Sequence, residues 1–114
     1  MAEAMDMSVL NTLREQLGDG LDNLLQVFLR QIPDQLAEIE AGLAAGDMAA
    51  AMRPAHTLKS SSATLGAIRL SEYVKEIEIR TRAGNGSGVQ ELVAKAREEF
   101  HEVEASIRRY LAGS

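Results

Sequence analysis

The spacing of the apolar residues constrains the fold of this chain more than any other feature. Between Leu21 and Leu43 they recur every three or four positions, which places them along one side of an α-helix. Comparable spacing occurs in four further segments, and no segment alternates apolar and polar residues as a half-buried strand would. The pattern predicts helices at about 8–17, 20–44, 48–65, 68–83 and 88–111, preceded by a loose start over residues 1–6.

Glycine and aspartate mark the expected helix boundaries. Asp19 and Asp47 are each placed to cap the helix that follows, and Gly66 is placed to end the third helix in a left-handed conformation. Pro33 and Pro54 fall inside predicted helices. We expect a bend at Pro33. Pro54 indicates a kink within the third helix or, alternatively, a helix that begins near residue 54.

Short turns between long helices favour antiparallel neighbours, so we predict an all-α protein. The expected architecture is an antiparallel up-down four-helix bundle with a short additional N-terminal helix, forming one domain over residues 1–114. Aromatic residues make up only 4% of the chain and tryptophan is absent, which leaves a core of Leu, Ile, Val, Met and Ala.

Charge and composition exclude several classes of function. The net charge of −5 comes without a basic stripe, which argues against nucleic-acid binding. No apolar run is long enough for membrane insertion, and the N-terminus lacks the regions of a signal peptide, so we expect a cytoplasmic protein. The absence of cysteine removes disulfides, zinc–thiolate sites and cysteine nucleophiles.

One stretch, residues 55–67, combines a histidine, a lysine and three serines. On a helix, His56 lies about 160° from Leu58, the expected centre of the buried face. The imidazole should therefore point to solvent from mid-helix, with Lys59 and Ser60 on the same face. Leu24 of the preceding helix is predicted to face the core.

Most reactions that such a histidine could carry out need further groups that this sequence does not provide. Serine catalysis would need a pocket and an oriented base, which an exposed helix face does not supply. His56 and His101 lie on different predicted helices, so a shared metal site is not indicated. Residues 84–88 lack the consecutive lysine and serine or threonine with which a phosphate-binding loop ends. A neutral imidazole can still accept a phosphoryl group brought by another protein, with Lys59 neutralising its oxygens.

Residues 56–67, His-Thr-Leu-Lys-Ser-Ser-Ser-Ala-Thr-Leu-Gly-Ala, resemble the signature of the histidine-containing phosphotransfer (Hpt) domain. Leu70, the Ile77-Glu78 pair, Arg82 and Gly84 match the later half of that family. The resemblance implies that His56 is phosphorylated, at Nε2, that Lys59 stabilises the phosphate, and that Ser60 and Glu78 lie near the imidazole.

The same resemblance implies the partners. They would be response-regulator receiver domains, together with a hybrid sensor histidine kinase. A receiver aspartate would donate and accept the phosphoryl group, and the receiver would carry Mg²⁺, so the chain itself needs no cofactor or metal. The chain would be a phosphotransfer intermediate without a nucleotide site, and a monomer.

The departure from the family signature is Ser60, where the family usually has glycine. Serine is small and polar, so we expect phosphorylation to survive this change. The alternative function is a helical-bundle adaptor that binds a partner helix and carries no phosphoryl group.

Overall fold

The computed structural model describes residues 4–113, and these form five successive helices. They are α1 (Met7–Leu17), α2 (Gly20–Ala44), α3 (Met48–Thr64), α4 (Ile68–Arg82) and α5 (Val89–Gly113), with no strand between residues 4 and 113. α2 packs against α3, α3 against α4, and α4 against α5, and α5 closes the ring against α2. The predicted all-α four-helix bundle with a short extra helix is therefore confirmed.

The core is a single cluster of aliphatic side chains around Phe28. Each such side chain stabilises the fold by about 2 kcal/mol through burial, so the cluster fixes how the helices pack. The buried residues recur at the spacing that predicted the helices. They include Leu25, Ile32, Leu36 and Ile39 of α2, Leu58 of α3, Leu70, Val74 and Ile77 of α4, and Val93, Val103 and Ile107 of α5.

α1 and residues 4–6 before it cover one end of the bundle. Met5 and Leu10 are fully buried. The Asp6 side chain accepts a hydrogen bond from the Ser8 amide at 2.9 Å, and the Asp6 amide donates to the Gly66 carbonyl at 2.8 Å. The predicted loose start is therefore wrong for residues 4–6, because Ala4 and Met5 are buried in the core and Asp6 is hydrogen-bonded to the α3–α4 turn. Residues 1–3 lie outside the described range.

The two predicted aspartate caps have different outcomes. Asp47 caps α3, since its carboxylate accepts a hydrogen bond from the Ala50 amide at 3.0 Å. Asp19 occupies the predicted N-cap position of α2, but its side chain makes no capping hydrogen bond. Its backbone already has helical angles, φ −67° and ψ −17°, whereas a capping side chain needs an extended backbone to reach the next amides.

Gly66 ends α3 in the way its position predicts. It has φ +86°, its amide donates to the Ala63 carbonyl, and the Ala67 amide donates to the Ser62 carbonyl. These two bonds form the Schellman arrangement that satisfies the last carbonyls of a helix. A side chain at Gly66 would also meet the Asp6 carbonyl oxygen at 3.1 Å.

The remaining helix boundaries keep the predicted order with small shifts. α3 begins at Met48, so Pro54 lies inside it and the alternative start near residue 54 is wrong. α2 continues through Pro33. α5 begins at Val89 because Gly88, with φ +75°, is not helical, and α5 extends to Gly113, beyond the predicted end at residue 111.

Candidate functional site

His56 lies in the middle of α3, on the face opposite the core. Its side chain is 55% exposed, whereas Ala55 and Leu58 on either side of it are fully buried. This orientation agrees with the helical position predicted from the sequence. The histidine is therefore held on a rigid helix whose other face is fixed in the core, and its imidazole is accessible to another molecule.

A carboxylate from the neighbouring helix lies directly beneath this imidazole. Glu78 of α4 is only 5% exposed, and its Oε2 lies 2.5 Å from Nδ1 of His56. The same oxygen accepts a hydrogen bond from Nη2 of Arg82 at 2.7 Å, and Oε1 lies 2.6 Å from Nζ of Lys59. Both oxygens of a buried carboxylate are thus occupied by hydrogen-bond donors.

These contacts keep Glu78 ionised. Burial by itself would raise the pKa of Glu78, but the hydrogen bonds from Lys59, Arg82 and His56 outweigh it and lower the pKa to about 2. An ionised carboxylate can only accept hydrogen bonds, so Nδ1 of His56 must be the donor. In the neutral imidazole the lone pair is then on Nε2, the nitrogen that does not face Glu78.

Lys59 lies one turn after His56 on α3, on the same side of the helix. Its ammonium pairs with Glu78 rather than standing free in solvent. A lysine at this position brings positive charge close to the imidazole without contacting it. The arrangement suits a reaction in which negative charge arrives at the histidine.

A shallow groove of about 450 Å³ runs beside His56. Leu24 of α2 and Leu65 supply its apolar part, and hydroxyl residues of α3, among them Ser60, supply the rest. Leu24 is 37% exposed, so the prediction that it faces the core is wrong. Most of the α3 residues that line the groove with Leu24 are small hydroxyl residues, and they leave its side chain partly uncovered.

Ser60 shares the groove with His56 but is not bonded to it. Within residues 4–113 its hydroxyl has no hydrogen-bond partner, and the residue is exposed. Ser61 turns its hydroxyl back to the carbonyls of Thr57 and Leu58, while Ser62 is fully buried. None of the three serines is arranged as a nucleophile beside a base.

The other histidine lies apart from this site. His101 is exposed on α5, where its ring lies 6.0 Å from that of Phe100. The part of the chain that the structure describes contains no group of three or more His, Asp or Glu side chains placed to hold a metal ion. Nor does any helix between residues 4 and 113 combine the length and apolar character that crossing a membrane would require.

Sequence reasoning did not assign a role to Arg82, nor to Leu24 as a groove residue. For Arg82 a signal was present, because it follows Glu78 by four residues on the same helix and can therefore reach its carboxylate. For Leu24 no local signal exists, since its exposure depends on the size of side chains on another helix.

The low pKa of Glu78 predicts a pH dependence of stability. A carboxyl with its ordinary pKa of 4.5 when unfolded and about 2 when folded stabilises the fold fully above pH 4.5. This contribution is lost as the pH falls from 4.5 to about 2. Glu78→Gln should therefore lower the free energy of unfolding by about 2 kcal/mol at pH 6, and the difference from wild type should disappear near pH 2.

Urea denaturation followed by circular dichroism at pH 6, 4, 3 and 2 measures this difference. Glu104→Gln is the matched control, because it removes a carboxylate that pairs with Arg108 on the outer surface of α5. It should change stability little, as surface ion pairs contribute little. A Glu78→Gln variant that is as stable as wild type at pH 6 would contradict the prediction.

Comparison with known proteins gives two matches that agree with each other. A family model described as "Hpt domain" matches residues 23–107, a range that includes His56, Lys59, Glu78 and Arg82. The crystal structure of histidine-containing phosphotransfer protein B from Pseudomonas aeruginosa PAO1 superimposes with a TM-score of 0.94 and 30% sequence identity. That similarity covers 100% of this chain and 99% of the other. No curated protein sequence matches the chain.

Proposed function

The chain belongs to the family of histidine-containing phosphotransfer (Hpt) domains, and from that premise we propose that it is a phosphohistidine carrier in a two-component phosphorelay. His56 accepts a phosphoryl group from an aspartate of one receiver domain and passes it to an aspartate of another. The observation that carries the proposal is the hydrogen bond from Nδ1 of His56 to the ionised, buried Glu78.

This hydrogen bond prepares the imidazole for phosphoryl transfer in two ways. It holds the proton on Nδ1, so the lone pair is on Nε2 and no proton has to leave that nitrogen before it attacks. As the bond between Nε2 and phosphorus forms, the ring becomes positively charged, and the carboxylate 2.5 Å from Nδ1 stabilises that charge. In the reverse direction the protonated ring leaves as a neutral imidazole.

The neighbouring residues supply charge and access. Lys59 neutralises the phosphoryl oxygens, and the groove that contains Leu24 and Ser60 receives the surface of the receiver domain. The receiver brings Mg²⁺, so the chain needs no metal or cofactor of its own. A hybrid sensor histidine kinase at the start of the relay, a cytoplasmic location and a monomeric state belong to the same proposal. An adaptor without phosphoryl transfer would leave the buried Glu78 beneath an exposed histidine without a role.

Phosphoramidate, a small-molecule phosphoryl donor, provides a direct test. We expect the chain to acquire one phosphoryl group that is stable in alkali and labile in acid, as a phosphohistidine is. Adding purified receiver domains with Mg²⁺ should then remove the group from this chain and transfer it to the receiver. If no receiver in a broad panel removed the phosphoryl group from the phosphorylated chain, the proposed relay would be contradicted. If phosphoramidate did not phosphorylate the chain at all, the proposed phosphohistidine would be contradicted.

Ser60→Gly tests the one departure from the family signature. Because the Ser60 hydroxyl bonds to nothing between residues 4 and 113, we expect His56 to remain fully phosphorylatable, with transfer rates changed by no more than about threefold. Glycine inside a helix should lower the free energy of unfolding by about 0.5 kcal/mol relative to serine. Phosphoramidate loading and receiver discharge measure the first effect, and urea denaturation measures the second. Loss of loading in a folded Ser60→Gly variant would show that the hydroxyl takes part directly.

A further inference from the structure

The Glu78 carboxylate has two cationic partners, and they come from different helices. Lys59 of α3 contacts Oε1 at 2.6 Å, whereas Arg82 of α4 contacts Oε2 at 2.7 Å. Oε2 is also the oxygen that accepts the hydrogen bond from Nδ1 of His56. Arg82 therefore holds the oxygen that faces the imidazole, and Lys59 holds the other one.

A phosphoryl group on Nε2 of His56 would change which cations contact Glu78. Such a group carries about two negative charges and competes with Glu78 for the ammonium of Lys59. Glu78 is only 5% exposed, so water solvates its charge poorly when a counter-ion moves away. A buried carboxylate that lost all its cationic partners would take up a proton or turn away from the ring. A second cation that stays in place prevents both the protonation of the carboxylate and its rotation away from the ring.

We propose that Arg82 is a positioning residue for the phosphotransfer reaction. It is the permanent counter-ion of Glu78, and it keeps the carboxylate ionised and directed at Nδ1 while Lys59 moves to the phosphoryl group. This proposal rests on the proposed function. In the step concerned, the Nε2 lone pair forms the bond to phosphorus and the bond from phosphorus to the receiver's aspartate oxygen breaks. The aspartate leaves as a carboxylate, and the Nδ1 proton stays in its hydrogen bond to Glu78.

The chemistry of Arg82 suits this task. A guanidinium is charged at every accessible pH, and its spacing of four residues from Glu78 on α4 keeps it in reach. The charged and titratable groups that face Glu78 within the described residues are His56 and Lys59 from α3 and Arg82 from α4. Arg80, the neighbouring arginine of α4, is bonded instead to Glu76 and to the Ser87 carbonyl.

Phosphoryl transfer kinetics separate positioning from docking. In rapid-quench measurements between a phosphorylated receiver domain and the full chain, Arg82→Gln should lower the rate at saturating receiver about tenfold. The receiver concentration at half-saturation should stay unchanged. Arg82→Lys should recover most of the rate. Arg108→Gln is the matched control, since Arg108 makes the same four-residue pair with Glu104 on α5, and it should transfer at the wild-type rate.

Nitrogen-15 spectra of His56 provide a readout that does not depend on transfer. We expect Arg82→Gln to reduce the fraction of neutral imidazole that carries its proton on Nδ1, and Arg82→Lys to restore it. Wild-type spectra and wild-type rates in Arg82→Gln would overturn this proposal while leaving the proposed function intact. If Arg82→Gln changed only the receiver concentration at half-saturation, the positioning role would also be overturned, and Arg82 would instead contribute to docking. A wild-type chain that accepts no phosphoryl group would overturn the proposed function and this proposal together.

Discussion

Replacing His56 with glutamine is expected to abolish phosphorylation of the chain while leaving its fold intact. Glutamine can still donate an amide hydrogen bond towards Glu78, but its nitrogen has no lone pair available for attack on phosphorus. We expect the rate of phosphoryl transfer to fall about a thousandfold or more, as rates do when the nucleophile of an enzyme is replaced. Since the His56 side chain is 55% exposed, the free energy of unfolding should change little.

The chain carries its own control for this substitution. His101 is the only other histidine, and it lies exposed on α5 away from Glu78. His101→Gln should load from phosphoramidate and discharge to receivers as wild type does. The measurement is the stoichiometry of acid-labile phosphate on each purified variant, with circular dichroism to show that both are folded. Full acid-labile labelling of His56→Gln would place the phosphoryl group on another side chain and refute the role of His56.

Most of the fold could be predicted because local spacing determines it. The three-to-four-residue recurrence of apolar side chains in α2 and α5 identifies both the helices and the sides that they bury. The predicted loose start and the predicted burial of Leu24 failed because both depend on contacts between different segments of the chain. Asp6 is hydrogen-bonded to Gly66 of the α3–α4 turn, about 60 residues away along the chain, and no local pattern indicates such a contact.

The features of the candidate site also fall into those that local spacing predicts and those that depend on packing between helices. The exposure of His56 and the side occupied by Lys59 follow from positions along a single helix, so sequence spacing was sufficient. The contact of Glu78 with both residues depends on how α4 is aligned against α3, which the family resemblance implied but local spacing could not show. The environment of Leu24 depends on the small side chains of α3 opposite it, so its exposure beside His56 emerged only from the packing.

Gly42 is the position where a single added methyl group should most disturb the packing that supports α3. A Cβ atom there would lie 2.6 Å from the backbone nitrogen of Ala51 and 2.9 Å from its Cα. Backbone atoms cannot rotate away as a side chain can, so α2 and α3 would have to separate. Gly42→Ala should lower the free energy of unfolding by about 3 kcal/mol, although alanine favours helix over glycine by roughly 1 kcal/mol.

Gly20→Ala isolates the effect of close helix approach from that of helix propensity. It introduces the same methyl group into the same helix, but the nearest atom to the new Cβ is Leu17 Cβ at 3.9 Å, an ordinary contact. That variant should be as stable as wild type or slightly more stable in urea denaturation. Because both substitutions add a methyl group near an end of α2 and only the one at Gly42 meets a neighbouring backbone, opposite signs would identify the α2–α3 contact as the cause. If Gly42→Ala were as stable as Gly20→Ala, the close approach of these two helices would be refuted.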